Sequence, residues 1–154
     1  MACILGLCNQ ESVSLMALNV YITGICNLGL VGNVEVVDRA AVFTTDPELL
    51  TTNDHEKHLQ LSITEMQQFV NPLVNSTYTE LTDGILVQGT NYDIHMIGME
   101  DGVIVFVNQD NSRALAVAKT TNNHILIATG NGNHMQHFTW SFRTTITTMN
   151  ADGL

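Results

Sequence analysis

The sequence predicts an α+β fold: a central meander of antiparallel strands, with helices from the two ends of the chain packed on it. Three observations carry that reading. Between Gly84 and Thr129 lie five apolar runs, Ile85–Val87, Tyr92–Met99, Val103–Val107, Ala114–Ala118 and Ile125–Ala128, rich in β-branched and aromatic residues. The gaps between them, Gly89–Asn91, Asp101-Gly102, Asp110–Ser112 and Asn122-Asn123, hold residues that tolerate positive φ, and Asp-Gly is a strong hairpin signal. Near both chain ends the apolar spacing changes from strand-like to helical.

In chain order, residues 1–14 form an extension without a defensible period, and the domain proper spans 15–154. A helix opens at Ser12 or Ser14, because Leu15, Leu18, Ile22 and Ile25 share one face; Gly24 weakens it and Gly29 is placed to end it. Glu35 to Phe43 reads as a strand with Ala40-Ala41-Val42 in its buried middle. Asp46-Pro47 then forces a turn, and Leu49–Thr52 returns as a short strand. Asn53 to Lys57 is polar loop. Ser62-Ile63-Thr64-Glu65 is a capping box, in which the serine oxygen takes an orphan backbone N–H and the glutamate reaches back. The shorter helix it opens buries Met66, Phe69, Val70 and Leu73, with Pro72 marking its end or a kink.

After the meander, Thr129-Gly130-Asn131-Gly132 reads as the turn from the last strand into the last segment. That segment, His134 to Met149, has two readings. Met135, Phe138, Phe142, Ile146 and Met149 fit a helix, whereas the threonines are poor helix formers and Trp140, Phe142 and Ile146 also alternate as in a strand.

Composition narrows the function. The chain has 154 residues, 45% hydrophobic and 13% charged, which suits one compact domain able to bury about 70% of its unfolded surface. Fifteen acidic against five basic residues leave a net charge of −10. That argues against nucleic acid and against phosphoinositide membranes, since both need clustered Lys and Arg, and Arg39, Lys57, Arg113, Lys119 and Arg143 are scattered. Cys3, Cys8 and Cys26 form no CxxC, and no signal peptide or run of membrane-spanning length is expected, so the default is an intracellular, soluble protein.

Neither catalysis nor a cofactor is expected. No GxSxG, Walker or dinucleotide-binding pattern occurs. His55/His58 and His134/His137 have two-residue gaps without a carboxylate or cysteine at ligand spacing, so no metal site is expected and these histidines read as solvated or hydrogen-bonded.

Element order, chain length and several short stretches together resemble the profilin family of small actin-monomer-binding proteins. Asn19-Val20-Tyr21-Ile22 is similar to the family's first helix, Ala40-Ala41-Val42 to its first strand, and Leu61–Glu65 to the start of its middle helix. Gly84–Gly89 followed by Tyr92 is similar to its G-hydrophobic-x-hydrophobic-x-G-x-x-Y stretch, and Lys119-Thr120 with Ile125–Ala128 to its last two strands. The likeness runs over about residues 15–154 and rests on the order of the motifs. It implies that the terminal helices lie together on one sheet face with the shorter helix on the other, and that the threonine-rich tail is helical.

The resemblance also implies two surfaces. Profilins grip proline-rich peptides between the terminal helices, stacking aromatic faces on a polyproline II ridge. The corresponding positions here are Leu18, Tyr21, Leu50, Thr148 and Leu154. Leucine offers neither a stacking face nor a donor, so polyproline binding is expected to be weak or absent, and Tyr21 reads as a core-edge tyrosine. The actin-binding positions are Asn91, His95, Met96, Gln109, Asn111, His134 and Trp140; His134 matches a family histidine in place and type, whereas the usual basic residues near the others are replaced by neutral ones. Trp140 reads either as an interface anchor or as a side chain packed under its own helix. The implied function is a cytoplasmic, cytoskeleton-associated regulator of actin polymerisation with monomeric actin as partner. The alternative is a profilin-fold interaction module that does not bind actin and uses another surface, with the apolar extension Met1–Leu7 as a candidate.

Overall fold

A computed structural model describes residues 18–154. The extension, the start of the first helix with Leu15, and two of the three cysteines lie outside the described residues.

Helix α1 covers residues 18–28 and stops at Gly29, whose N–H still bonds the Ile25 carbonyl. A small hairpin follows, β1 (Leu30–Val31) and β2 (Val34–Glu35), closed by Gly32-Asn33 with Gly32 at φ +62°. Strand β3 (Val37–Thr44) comes next, then α2 (Ile63–Asn75), a 3₁₀ turn at Tyr78–Leu81, and the meander β4 (Ile85–Val87), β5 (Thr90–Ile97), β6 (Ile104–Val107), β7 (Arg113–Lys119) and β8 (His124–Asn131). A 3₁₀ turn at Gly132–His134 leads into α3 (Met135–Ala151). The six-stranded sheet is antiparallel in the order β3-β8-β7-β6-β5-β4.

Period-two alternation divides this sheet between two cores. On one face Ala40, Val42, Val105, Ala114, Ala116, Ala118, Leu126 and Ala128 meet Ile22, Ile25 and Cys26 of α1 and Phe138, Phe142, Ile146 and Met149 of α3. On the other face Phe43, Ile104, Phe106, Leu115, Val117, Ile125 and Ile127 meet Met66, Phe69, Val70 and Leu73 of α2. The terminal helices therefore share one face and α2 holds the other, as expected. The alanines lie under the two helices and the larger residues under one, so bulky helix side chains are matched to shallow sheet positions.

Helix α2 has the predicted capping box: Ser62 Oγ accepts from Glu65 N–H at 3.1 Å, and Glu65 Oε1 accepts from Ser62 N–H at 2.8 Å. Four readings are corrected. Pro72 does not end α2; the helix continues one turn to Asn75 and stops at Ser76, which is left-handed at φ 55°. Glu35 belongs to the small hairpin, so the long strand starts at Val37. Leu49–Thr52 is not a strand but touches β3 through a bridge from Leu49 to Phe43 and through the Leu50 N–H on the Val42 carbonyl (2.8 Å). Thr129 and Gly130 remain within β8, and the handover to α3 comes at Gly132–His134.

The threonine-rich tail is helical despite poor propensity because helical spacing buries Phe138, Phe142, Ile146 and Met149 against the sheet. Ser141, Thr145, Thr147 and Thr148 each donate to the carbonyl four residues back at 2.9–3.0 Å, so their hydroxyls are not left without partners. Residues 45–59 form a strap along the outer edge of β3. The Leu59 N–H donates to the Ala40 carbonyl, the Ala40 N–H to the Lys57 carbonyl and the Val42 N–H to Thr51 Oγ1, so an edge open to strand addition is closed. At the opposite edge the Gln68 amide does the same for β4, donating to the Leu86 carbonyl at 3.0 Å.

Candidate functional site

Of the seven positions that the resemblance assigns to actin binding, five lie around the start of α3. Strand β5 carries a bulge, with Ile94 opposite Phe106 and Met96 opposite Val105, so that His95 is the extra residue. In a regular strand Ile94 and Met96 would share a face. The bulge breaks that alternation, and Ile94 packs on the α2 side while Met96 packs on the α1/α3 side. His95 and Met96 thereby line a cleft with Met135, Gln136, Thr139 and Trp140.

Trp140 is 51% exposed, which excludes the reading that it is packed under its helix. It separates that cleft from a second one lined by Asn133, His134 and His137. The His137 ring stands 5.3 Å from the indole, and its Nε2 donates to the Leu28 carbonyl at 2.6 Å. One hydrogen bond thus ties the end of α1 to the first turn of α3 and sets the imidazole beside Trp140. Arg143 also borders the first cleft, but its Nε is paired with Asp101 Oδ2 at 2.7 Å. The wall around the indole therefore carries little free charge.

His95, Met96, His134 and Trp140 are brought together. Asn111, left-handed at φ 61° and exposed, lies beside them, because its carbonyl packs so closely on Gly132 that a Cβ there would collide with it. Asn91 and Gln109 line a separate depression between the β4–β5 and β6–β7 turns. Gln136, His137 and Arg143, which the sequence reading did not assign to the site, sit three or four residues from Trp140, so helical spacing around the indole was the signal that would have found them.

Four of the five positions that the resemblance assigns to a proline groove are also brought together. Leu18, Tyr21, Leu50 and Leu154 line one depression together with Val20, His124 and Asp152. Thr148 is not part of its wall; its hydroxyl is turned back to the Thr144 carbonyl. The one aromatic hydroxyl in the groove is already engaged, as Tyr21 Oη donates to Asp152 Oδ2 at 2.5 Å. Burial first, and then the Asp152 hydrogen bond and charge, push the Tyr21 pKa up to about 12. Asn19, two residues before Tyr21, holds the strap that carries Leu50: its Nδ2 donates to Thr52 Oγ1 at 2.8 Å and its Oδ1 accepts the Thr52 N–H at 3.0 Å.

No family model and no curated protein sequence matches the chain. Solved structures do. Profilin IA of Acanthamoeba castellanii superposes with a TM-score of 0.64 at 17% identity, over 87% of this chain and 99% of that one. The fold is that of profilin. A Loki profilin 2 solved in complex with rabbit actin is similar over 88% of this chain and 96% of its own, with a TM-score of 0.60 at 14% identity. Mouse profilin IIa, solved with a double repeat from the FH1 domain of mDia1, is similar over 83% and 94%, with a TM-score of 0.56 at 12% identity. The chain thus shares the profilin fold with these proteins at 12–17% sequence identity. Among the described residues no group of three His, Cys, Asp or Glu is arranged to hold a metal, and no helix is long and apolar enough to cross a membrane.

Proposed function

We propose that this chain is a profilin-like, actin-monomer-binding protein of the cytoplasm that regulates actin polymerisation, and that it binds proline-rich peptides weakly or not at all. The observation that carries the reading is Trp140, half exposed between two clefts, with His95, Met96 and His134 around it. A large amphipathic side chain standing free among methionine and imidazole is the composition that concentrates binding energy in protein interfaces. The profilin fold, and the existence of a similar Loki profilin solved with rabbit actin, support actin as the partner.

Because Arg143 is paired with Asp101, the contact depends on apolar burial more than on charge steering. Calorimetry with monomeric actin tests this. A 1:1 complex is expected, weakened about 30-fold or more by Trp140→Ala. Absence of binding by the wild-type chain at actin concentrations of about 50 μM, roughly −6 kcal/mol of affinity, would remove the reading.

A further inference from the structure

We propose that the small hairpin β1–β2 is a second arm of the same partner-binding surface, supplying an apolar ribbon that inserts against the actin monomer beside Trp140. This rests on the actin reading above and extends it to residues with no site assigned to them so far.

The hairpin is only two residues per strand, paired Leu30 to Glu35 and Val31 to Val34. Strand geometry sends Leu30 and Val31 to opposite faces, yet both are exposed, at 45% and 41%, as is Val34 at 38%. Among the described residues, nothing therefore fully buries either face of the ribbon. A lone two-stranded ribbon is marginal in water, and apolar side chains on both of its faces do nothing to stabilise it there. Its one charged side chain, Glu35, is paired with Lys57 at 2.8 Å, so the ribbon offers an essentially neutral apolar surface.

Its position selects the occupant. The hairpin springs from Gly29 and closes at Val36, whose N–H bonds the Gly29 carbonyl at 2.7 Å. Leu28, the residue before Gly29, accepts the His137 Nε2–H bond, and His137 stands against Trp140. On the other strand, the Val36 carbonyl accepts the Asn131 N–H at 2.8 Å, just ahead of the turn that carries His134. Both roots of the ribbon are thus anchored to the two ends of the Trp140–His134 region. The hairpin is thus held close to the indole by one side-chain and one backbone hydrogen bond at its roots, and a partner large enough to cover the indole reaches the ribbon next.

The test uses the full chain and monomeric actin, with V31T/V34T as the variant. Threonine keeps β-branching and shape while replacing an apolar methyl with a hydroxyl. The expected result is about tenfold weaker actin binding, with an unchanged melting temperature and a monomeric mass for both proteins by sedimentation. Leu30→Asn is a second variant on the opposite face and is expected to weaken binding by about threefold or more. If wild type and both variants bind actin equally, the hairpin proposal is overturned while the Trp140 surface stands. A wild-type dimer that V31T/V34T dissociates overturns it in favour of a second copy of this chain as occupant. If the wild-type chain binds no actin, the underlying function fails first, and that outcome is distinguishable because it precedes any comparison of variants.

Discussion

Asn19→Ala tests how the strap is held, and its size follows from the structure. The Asn19 amide makes two hydrogen bonds to Thr52, one donated at 2.8 Å and one accepted at 3.0 Å, and both are partly buried. Each contributes about 0.5–1.5 kcal/mol net, so their loss costs about 1–3 kcal/mol. Alanine is the better helix former by roughly 0.5 kcal/mol, which offsets part of this and leaves a destabilisation of about 0.5–2.5 kcal/mol. In a domain of this length that lowers the melting temperature by about 2–8 °C. Urea and thermal unfolding measure it, and Asn19→Asp provides the control, because it keeps the acceptor for the Thr52 N–H and should lose less than alanine. If Asn19→Ala unfolds within about 0.3 kcal/mol of wild type, or Asp and Ala are equally destabilising, the strap is not held by this amide and the account of the groove wall around Leu50 is wrong.

Gly130→Ala should destabilise by about 3 kcal/mol or more, read by urea unfolding, because a Cβ there would collide with the Val36 carbonyl oxygen and the Phe138 ring. Stability should fall as pH drops below about 6.5. Burial, and for His58 next the charge of His55, lower the pKa of His58 and His124, so on acidification the unfolded chain takes up protons before the folded chain does. The urea midpoint should therefore be lower at about pH 5.5 than at about pH 7.5, with a smaller loss in H58Q/H124N; an equal loss in that variant would refute the assignment. Trp140 is the only tryptophan in the chain, so its emission should change on titration with monomeric actin and stay constant with a proline-rich peptide, whose groove it does not line. Complex affinity should change less than about threefold between roughly 0.05 and 0.2 M salt, measured by calorimetry; a steep salt slope would contradict the neutral wall around the indole.

How much of this was legible in the sequence depended on whether a feature was local. The meander was, because turn chemistry and β-branched runs are local signals, and every predicted run from Ile85 to Ala128 lies in or overlaps a strand. The capping box was, for the same reason. The tail from His134 was ambiguous because Trp140, Phe142 and Ile146 also fit a strand, and what decides for a helix, burial of Phe138, Phe142, Ile146 and Met149 against the sheet, is a tertiary effect. The small hairpin was missed because its apolar residues face solvent, so no buried alternation marks it. The split of the site, with His95, Met96, His134 and Trp140 together and Asn91 and Gln109 apart, depended on a bulge whose position no local pattern announces.

The two surfaces proposed for this chain differ in how well their residues suit a ligand, and the difference follows from what each ligand demands. A polyproline ridge needs flat aromatic faces and free donors at set spacing, and no arrangement of leucines supplies either. In the groove the one remaining ring hydroxyl is bonded to Asp152, so restoring aromatic residues at positions 18 and 50 would still leave that donor occupied. A protein partner makes looser demands, because apolar burial can replace ion pairing provided a rigid anchor remains. Here the β5 bulge sets His95 and Met96, and the His137 side-chain bond to the end of α1 sets the imidazole beside Trp140; neither depends on surface charge. The acidic, base-poor composition that argues against nucleic acid and anionic lipid is therefore compatible with the proposed protein interface and with weak or absent binding of proline-rich peptides in one chain.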